Sequence, residues 1–247
     1  MRLDKFICKS TQLTKQQAIT AIESGEITVN EQVIKSVATQ VHENNVIQHQ
    51  NQVLTARPFR YLLLHKPANF ICSNVDDVYP SVLNLLNYCS KNRNVQVVQN
   101  LELVSELHIA GRLDADTTGL ILITDDGRWT FNITSPNNGC KKVYRVGLSR
   151  QINQEVIKRF EQGIQLQGEN NLTLPACLEM ISDTEVLLTI TEGKFHQVKR
   201  MFAAVGNRVL SLHREQIGAI KLDVEVGDWR YLTEHEILSF HKQSNIS

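Results

Sequence analysis

Apolar residues near the start of the chain are sparse and closely spaced. Leu3, Phe6 and Ile7 recur at helical spacing. Ala18, Ile19 and Ile22 share one face of a second helical stretch, with Thr14 as its N-cap and Gly25 as its stop. Ile27-Thr-Val29 and Val33-Ile34 read as two strands around an Asn30-Glu31 turn. The pattern predicts a small unit of two helices and a sheet, with a core so slight that packing or binding must add to its stability. Residues 45–60 are polar, with Pro58 near their end, and read as strand remnant plus linker. The expected division is 1–58 and 59–247.

Beyond it the pattern changes to longer apolar runs. Tyr61-Leu-Leu-Leu-His65 is a strand running into Lys66-Pro67, where a strand stop with a solvated lysine and a role near RNA stand equally open. Pro80 to Leu86 is a short helix candidate. Residues 87–106 show no single period and read as a surface insertion of no assigned function. Leu120 to Ile123 is a buried strand, followed by an Asp125-Asp-Gly127 turn and a helix through Trp129 to Ile133, stopped by Ser135-Pro136. Tyr144 falls on a strand, and Glu155 to Gln162 is an amphipathic helix. Strands follow over 172–191, with a local break at Leu174-Pro-Ala and an end at Gly193. A helix then starts near His196 and turns Val198, Phe202 and Val205 to the core. Val209 to Leu212, Ile217 to Leu222 and Asp228 to Leu232 complete the strands. Thr233 caps a short final helix with Glu234 and Glu236 in its first turn, and residues 243–247 are expected to fray. The fold class is α+β.

The candidate chemistry lies where a polar, glycine-flanked run meets an apolar strand: Ala110-Gly-Arg-Leu-Asp-Ala-Asp-Thr-Thr-Gly119. Asp114 is expected on a loop held by a core strand, where catalytic groups tend to lie. The bland alternative is a turn whose side chains bond their own backbone. A formal net charge of zero argues mildly against a nucleic-acid partner. Binding needs only a local patch, however, and Lys141, Lys142 and Arg145 lie together, as do Lys194, His196, Lys199 and Arg200. The five cysteines are scattered, with no Cys-x-x-Cys pair, which indicates neither a metal site nor a disulfide framework. No apolar run approaches the ~18 residues of a membrane span, and the start lacks a signal peptide's apolar centre. A cytoplasmic protein is expected, with no membrane partner. No P-loop or dinucleotide fingerprint is present.

Gly111-Arg-Leu-Asp-x-Asp-Thr-Thr-Gly-Leu120 resembles the signature of RNA pseudouridine synthases of the RsuA-type branch. Cys140-x-Lys-x-Tyr144 and Gly193-x-x-His-Gln-x-Lys199 match that family's later motifs, in family order. The resemblance implies a mainly antiparallel, mixed β-sheet catalytic domain with flanking helices. It implies Asp114 as catalytic carboxylate, Lys199 as its basic partner (Arg200 being the next candidate) and Tyr144 against the target base. It assigns Arg112 to the vacated space or a phosphate. His196 reads as an RNA contact or a local hydrogen bond ahead of a catalytic base, and Arg200 is counted with the RNA-binding residues. The start, Arg2-Leu-Asp-Lys-Phe-Ile, with Thr14-Lys15 and Ile22-x-x-Gly-x-Ile-x-Val-Asn30, resembles the alpha-L RNA-binding domain. There Arg2, Lys5 and Lys15 match positions that contact RNA phosphates. Lys15 stands where the family commonly has Arg, and it lacks the forked geometry.

The implied activity is isomerisation of a uridine in small-subunit ribosomal RNA, free or in an assembling particle, by a monomer. The C1′–N1 bond breaks and C1′ bonds to C5, so no cofactor is required. The carboxylate can attack C1′, take a proton from C2′ or stabilise positive character at C1′. A nearby Lys199 would hold it ionised and aimed. The alternatives are a large-subunit RNA target, a non-catalytic ribosome-assembly factor, and, more distantly, a glycoside hydrolase. The last would want a second positioned carboxylate, and Asp116 is too close in sequence to assume that role.

Overall fold

The computed structural model describes residues 1–42, 44–87, 104 and 106–240. The insertion expected over 87–106 lies outside the described residues except at 87, 104 and 106, and so do residues 243–247. The chain divides into two compact units, Met1–Phe59 and Arg60–Ser247.

The first unit contains helices α1 (Leu3–Ser10) and α2 (Lys15–Glu23) and strands β1 (Ile27–Val29), β2 (Gln32–Val33), β3 (Ile47–His49) and β4 (Gln52–Val53). Thr14 caps α2 in a reciprocal capping box with Gln17. The sheet order is β2-β1-β3-β4. Residues 45–60 are therefore not mere linker, because β3 and β4 form a second hairpin beside the first. Both hairpins close through two residues in the left-handed region, Asn30 (φ 49°) and Glu31 (φ 68°), then Gln50 (φ 49°) and Asn51 (φ 65°). Leu3, Ile7, Ala18, Ile22, Ile27, Val41 and Ile47 form the core.

The second unit is built on one mixed sheet. Its strands are β5 (Tyr61–Lys66), β6 (His108–Ala110), β7 (Thr118–Thr124), β8 (Lys142–Leu148), β9 (Cys177–Ser182), β10 (Glu185–Ile190), β11 (Val209–Ile217), β12 (Ile220–Lys221) and β13 (Trp229–Tyr231). The order is β13-β5-β7-β11-β8-β10-β9, with β12 on β11 and β6 on β7. Every pairing is antiparallel except β11 with β7. The central strands are covered on both faces, as near-continuous apolar runs require. On β7, Ile121 and Ile123 enter one core while Leu120 and Leu122 enter the other. Helices α4 (Gln154–Gln162) and α5 (Gln197–Ala204) supply Phe160, Val198 and Phe202 to the first core. Helix α3 (Gly127–Thr134) supplies Trp129 and Ile133 to the second. A short final helix, α6 (Glu234–Leu238), starts at the Thr233 capping box.

Three local expectations are corrected. The segment after Pro80 is a 3-10 helix, Val82–Asn87. The strand before the third motif ends at Ile190, short of Gly193. Val209–Ile217 is one continuous strand, and its polar stretch His213-Arg-Glu-Gln216 lies inside the ladder between β8 and β7.

Candidate active site

The loop of residues 111–117 joins β6 to β7. Two buried cations fasten it. Lys66, for which a solvated strand stop is one of two open readings, is 0% exposed. Its ammonium donates to the carbonyls of Pro67, Ala115 and Thr117 at 3.0, 3.0 and 2.7 Å. Those three acceptors replace water for a buried charge, although burial still pulls the Lys66 pKa below its ordinary value. Arg214 of β11 is equally deep. It donates from Nε to the Leu120 carbonyl at 2.8 Å and from Nη2 to the Gly111 carbonyl at 2.7 Å. The Leu113 N–H, between these anchors, donates to Cys72 Sγ at 3.3 Å.

Asp114 projects from this loop toward the N-terminus of α5. Lys199 Nζ lies 3.0 Å from Asp114 Oδ2, and His196 Nε2 lies 3.4 Å from Oδ1. The same ammonium reaches Asp116 Oδ1 at 2.7 Å and Oδ2 at 3.0 Å. Lys199 therefore bridges two carboxylates. Its hydrogen bond holds the Asp116 carboxyl below the usual range despite partial burial. For Lys199 itself burial works against the charge, but the two carboxylates outweigh it and the pKa rises. A cavity of about 90 Å³ opens here, lined by Asp114, Lys199, Arg112, Tyr144 and His196 with an apolar wall that includes Val198 and Leu212. Tyr144 sits on β8 opposite Arg214 and is 7% exposed. Its hydroxyl accepts from Arg214 Nη1 at 3.4 Å, in place of the water contact of a half-buried strand tyrosine.

The turn leading into α5 is fastened in its own way. Gln197 is buried, donates to Glu192 Oε1 at 2.8 Å and accepts from the Lys194 N–H at 2.8 Å. Glu169 pairs with Lys194 and with Arg200. Arg200 is thus spent on Glu169 and on the Phe195 and Gln167 carbonyls, and it is Lys199 that meets Asp114. His196 takes a left-handed backbone (φ 47°) with no glycine to relieve it, a strain that persists where surrounding bonds over-determine the turn.

Lys194, His196 and Lys199 converge on the cavity together with Arg112. Lys141, Lys142 and Arg145 do not form a basic patch. Lys142 is buried against the Ile133 and Cys140 carbonyls, and Arg145 pairs with Glu185 and Glu215. In the first unit, Lys5 and Lys15 are exposed, while Arg2 lays its guanidinium on Asp4 at 2.9 Å. Sequence reasoning missed Lys66 and Arg214 as loop anchors and set Asp116 aside.

Comparison with known proteins assigns the class. A family model described as RNA pseudouridylate synthase matches residues 60–204, and one described as S4 domain matches residues 1–47. The chain belongs to the RNA pseudouridylate synthase family and is an isomerase of RNA uridine with an N-terminal S4 domain. It is 48% identical over 244 residues to "Ribosomal small subunit pseudouridine synthase A" of Vibrio cholerae, covering 98% of this chain and 100% of that one. It is 43% identical over 242 residues to the protein of the same name from Escherichia coli K12, covering 97% and 99%. A solved structure titled "Crystal structure of pseudouridylate synthase" superposes with a TM-score of 0.68 at 41% identity, covering 98% of this chain and 100% of that one.

Proposed function

We propose that this chain converts one uridine of small-subunit ribosomal RNA to pseudouridine, with Asp114 as the catalytic carboxylate. The observation that carries the reading is the Lys199–Asp114 ion pair, 3.0 Å, lining a cavity that Tyr144 also lines. A carboxylate aimed by an ammonium suits all three routes: attack at C1′, proton abstraction at C2′, and stabilisation of a cationic C1′. The C1′–N1 bond breaks and a C1′–C5 bond forms. The proton on C5 is lost, and N1 gains one. Atoms and electrons balance without a co-reactant, so no cofactor enters the scheme.

A uridine stacked in folded RNA is out of reach of Asp114, so the base is extruded, at a cost of a few kcal/mol. Tyr144 then faces the uracil, Arg112 fills the vacated space or holds a phosphate, and His196 lies along the RNA, while Arg200, expected at the RNA, is committed to Glu169 and fixes the turn. In the S4 domain Arg2, Lys5 and Lys15 grip phosphates of a second RNA element. The small-subunit substrate is supported by the names of the relatives, which match over nearly the whole chain. The enzyme is proposed to act as a monomer. A ribosomal RNA substrate supports a cytoplasmic enzyme. Among the described residues no helix is long and apolar enough to cross a membrane.

The test uses small-subunit RNA transcribed without modifications, with pseudouridine mapped chemically after incubation. One new pseudouridine is expected with the wild-type protein and none with Asp114→Asn. Product from the variant overturns the assignment of Asp114. Product confined to large-subunit RNA overturns the substrate.

A further inference from the structure

The catalytic reading leaves one side chain at the cavity rim unused. Phe195 is 73% exposed. A single exposed apolar residue needs no explanation, but the surroundings of this one do. Its neighbours in the chain, Lys194 and His196, both line the cavity. Its ring stacks on the His196 imidazole with centroids 3.8 Å apart and planes 23° from parallel. The edge of that imidazole, at Nε2, lies 3.4 Å from Asp114 Oδ1. The exposed phenyl ring is therefore separated from the catalytic carboxylate by a single stacked imidazole.

The turn that displays the ring is tied down from several sides. Arg200 donates to the Phe195 carbonyl at 3.0 Å and to the Gln167 carbonyl at 2.7 Å. Lys194 is held through its N–H by Gln197 and through its ammonium by Glu169. The left-handed backbone at His196 fits this fixed turn. An exposed aromatic ring that is immobilised before binding loses little entropy when a flat partner settles on it.

We infer that Phe195, backed by His196, is a stacking platform for an unpaired base of the substrate RNA next to the target uridine. The inference rests on the reading of the Asp114 cavity as the place of that uridine. Extruding one nucleotide breaks its stack with its neighbours, and a freed neighbour finds a new partner on an aromatic face. Arg112, exposed beside the cavity, has the charge to hold an intervening phosphate. Such a platform sets register: it decides which nucleotide stands one step from Asp114. It also tolerates different bases, because each has a π-face.

The experiment separates binding from chemistry. Affinity for the small-subunit transcript is measured in an Asp114→Asn background, with Phe195 kept or changed to Leu, Tyr or Trp. Phe195→Leu keeps the apolar bulk and removes the ring. It is expected to weaken binding about tenfold, within the range of one base–aromatic stack. Tyr and Trp are expected to restore binding to within about twofold. The indole of Phe195→Trp is expected to lose emission on RNA binding. Equal affinity for Leu and Phe, or no change in emission, overturns the platform. Pseudouridine formation by the protein with Asp114 intact is scored separately. Its absence, with the Phe195 dependence retained, overturns the catalytic reading and leaves an RNA-binding rim.

Discussion

Lys199 holds two carboxylates with one ammonium, 3.0 Å from Asp114 and 2.7 Å from Asp116. Asp116 is the more exposed of the two, so water screens that half of the bridge more strongly. Removing the ammonium leaves Asp114, among the described residues, with the longer His196 contact as its ion pair. Lys199→Met is therefore expected to lower kcat about 100-fold, typical for loss of one charge-stabilising donor. The half-saturating RNA concentration should move by less than about threefold, because the pair aims a reacting group and contributes little to RNA affinity. Single-turnover kinetics on the transcript distinguish the two effects, and an unchanged kcat removes Lys199 from the reaction. Asp114 and Lys199 were legible because their types and order form motifs. Lys66 and Arg214 were not, since a buried cation is defined by carbonyls that arrive from Gly111, Ala115 and Thr117 only after folding. Along the chain, Lys66 before Pro67 has the pattern of a solvated strand stop.

Between residues and elements stands Gly119, where β7 runs parallel to β11. Its φ is +112°, and a Cβ there would collide with the Arg214 backbone. Gly119→Ala must either push the two strands apart or strain both, and Arg214 anchors the Asp114 loop. A loss of about 3 kcal/mol in urea unfolding is expected, with activity falling in parallel; an unaffected midpoint would show that the strands yield freely. The final helix gives a pH test. Glu236 receives both guanidinium nitrogens of Arg230 at 2.7 and 2.8 Å, besides closing the Thr233 box. Arg230 first, aided by the Thr233 bonds and opposed by burial, lowers its pKa from 4.5 to about 2. A depressed carboxyl stabilises the fold above its unfolded value and loses that contribution as pH falls. The stability gap between wild type and Glu236→Gln, up to about 3 kcal/mol, should be full at pH 7 and close between about 4.5 and 2. A gap independent of pH refutes the role. This capping box was legible from Thr233, Glu234 and Glu236. The continuity of β11 was not, because His213-Arg-Glu-Gln216 has the polarity of a loop. Its side chains find partners within the sheet, such as Thr118 for His213 and Arg145 for Glu215. The second hairpin of the first unit was hidden likewise by Gln48, His49 and Gln52, whose backbone pairs although their side chains carry no apolar alternation, and by a Gln50-Asn51 turn that lacks glycine.

At the scale of the molecule, a net charge of zero has to be reconciled with an RNA substrate. The S4 unit does not supply a basic excess, for residues 1–59 hold six Lys or Arg and five Asp or Glu. Some of those cations are committed internally, Lys9 over the Phe59 ring and Arg2 on Asp4. Lys5 and Lys15 are exposed, and few phosphate contacts are therefore available. A weak second contact still matters when tethered, because it acts at the effective concentration its linkage sets. The two cores of the catalytic unit draw only on residues beyond 60, so a chain lacking residues 1–58 retains the apolar material of its fold. Its saturated rate should stay within about threefold of the full chain, since Asp114, Lys199 and Tyr144 are all retained, while the half-saturating RNA concentration rises about tenfold or more. The salt dependence tests the same contacts independently. Losing the two phosphate contacts of Lys5 and Lys15 should flatten the slope of log affinity against log salt by about one and a half. If the truncated enzyme saturates at the same RNA concentration with the same salt slope, the S4 unit does not grip the substrate, and the cations around Asp114 must carry the whole of RNA recognition.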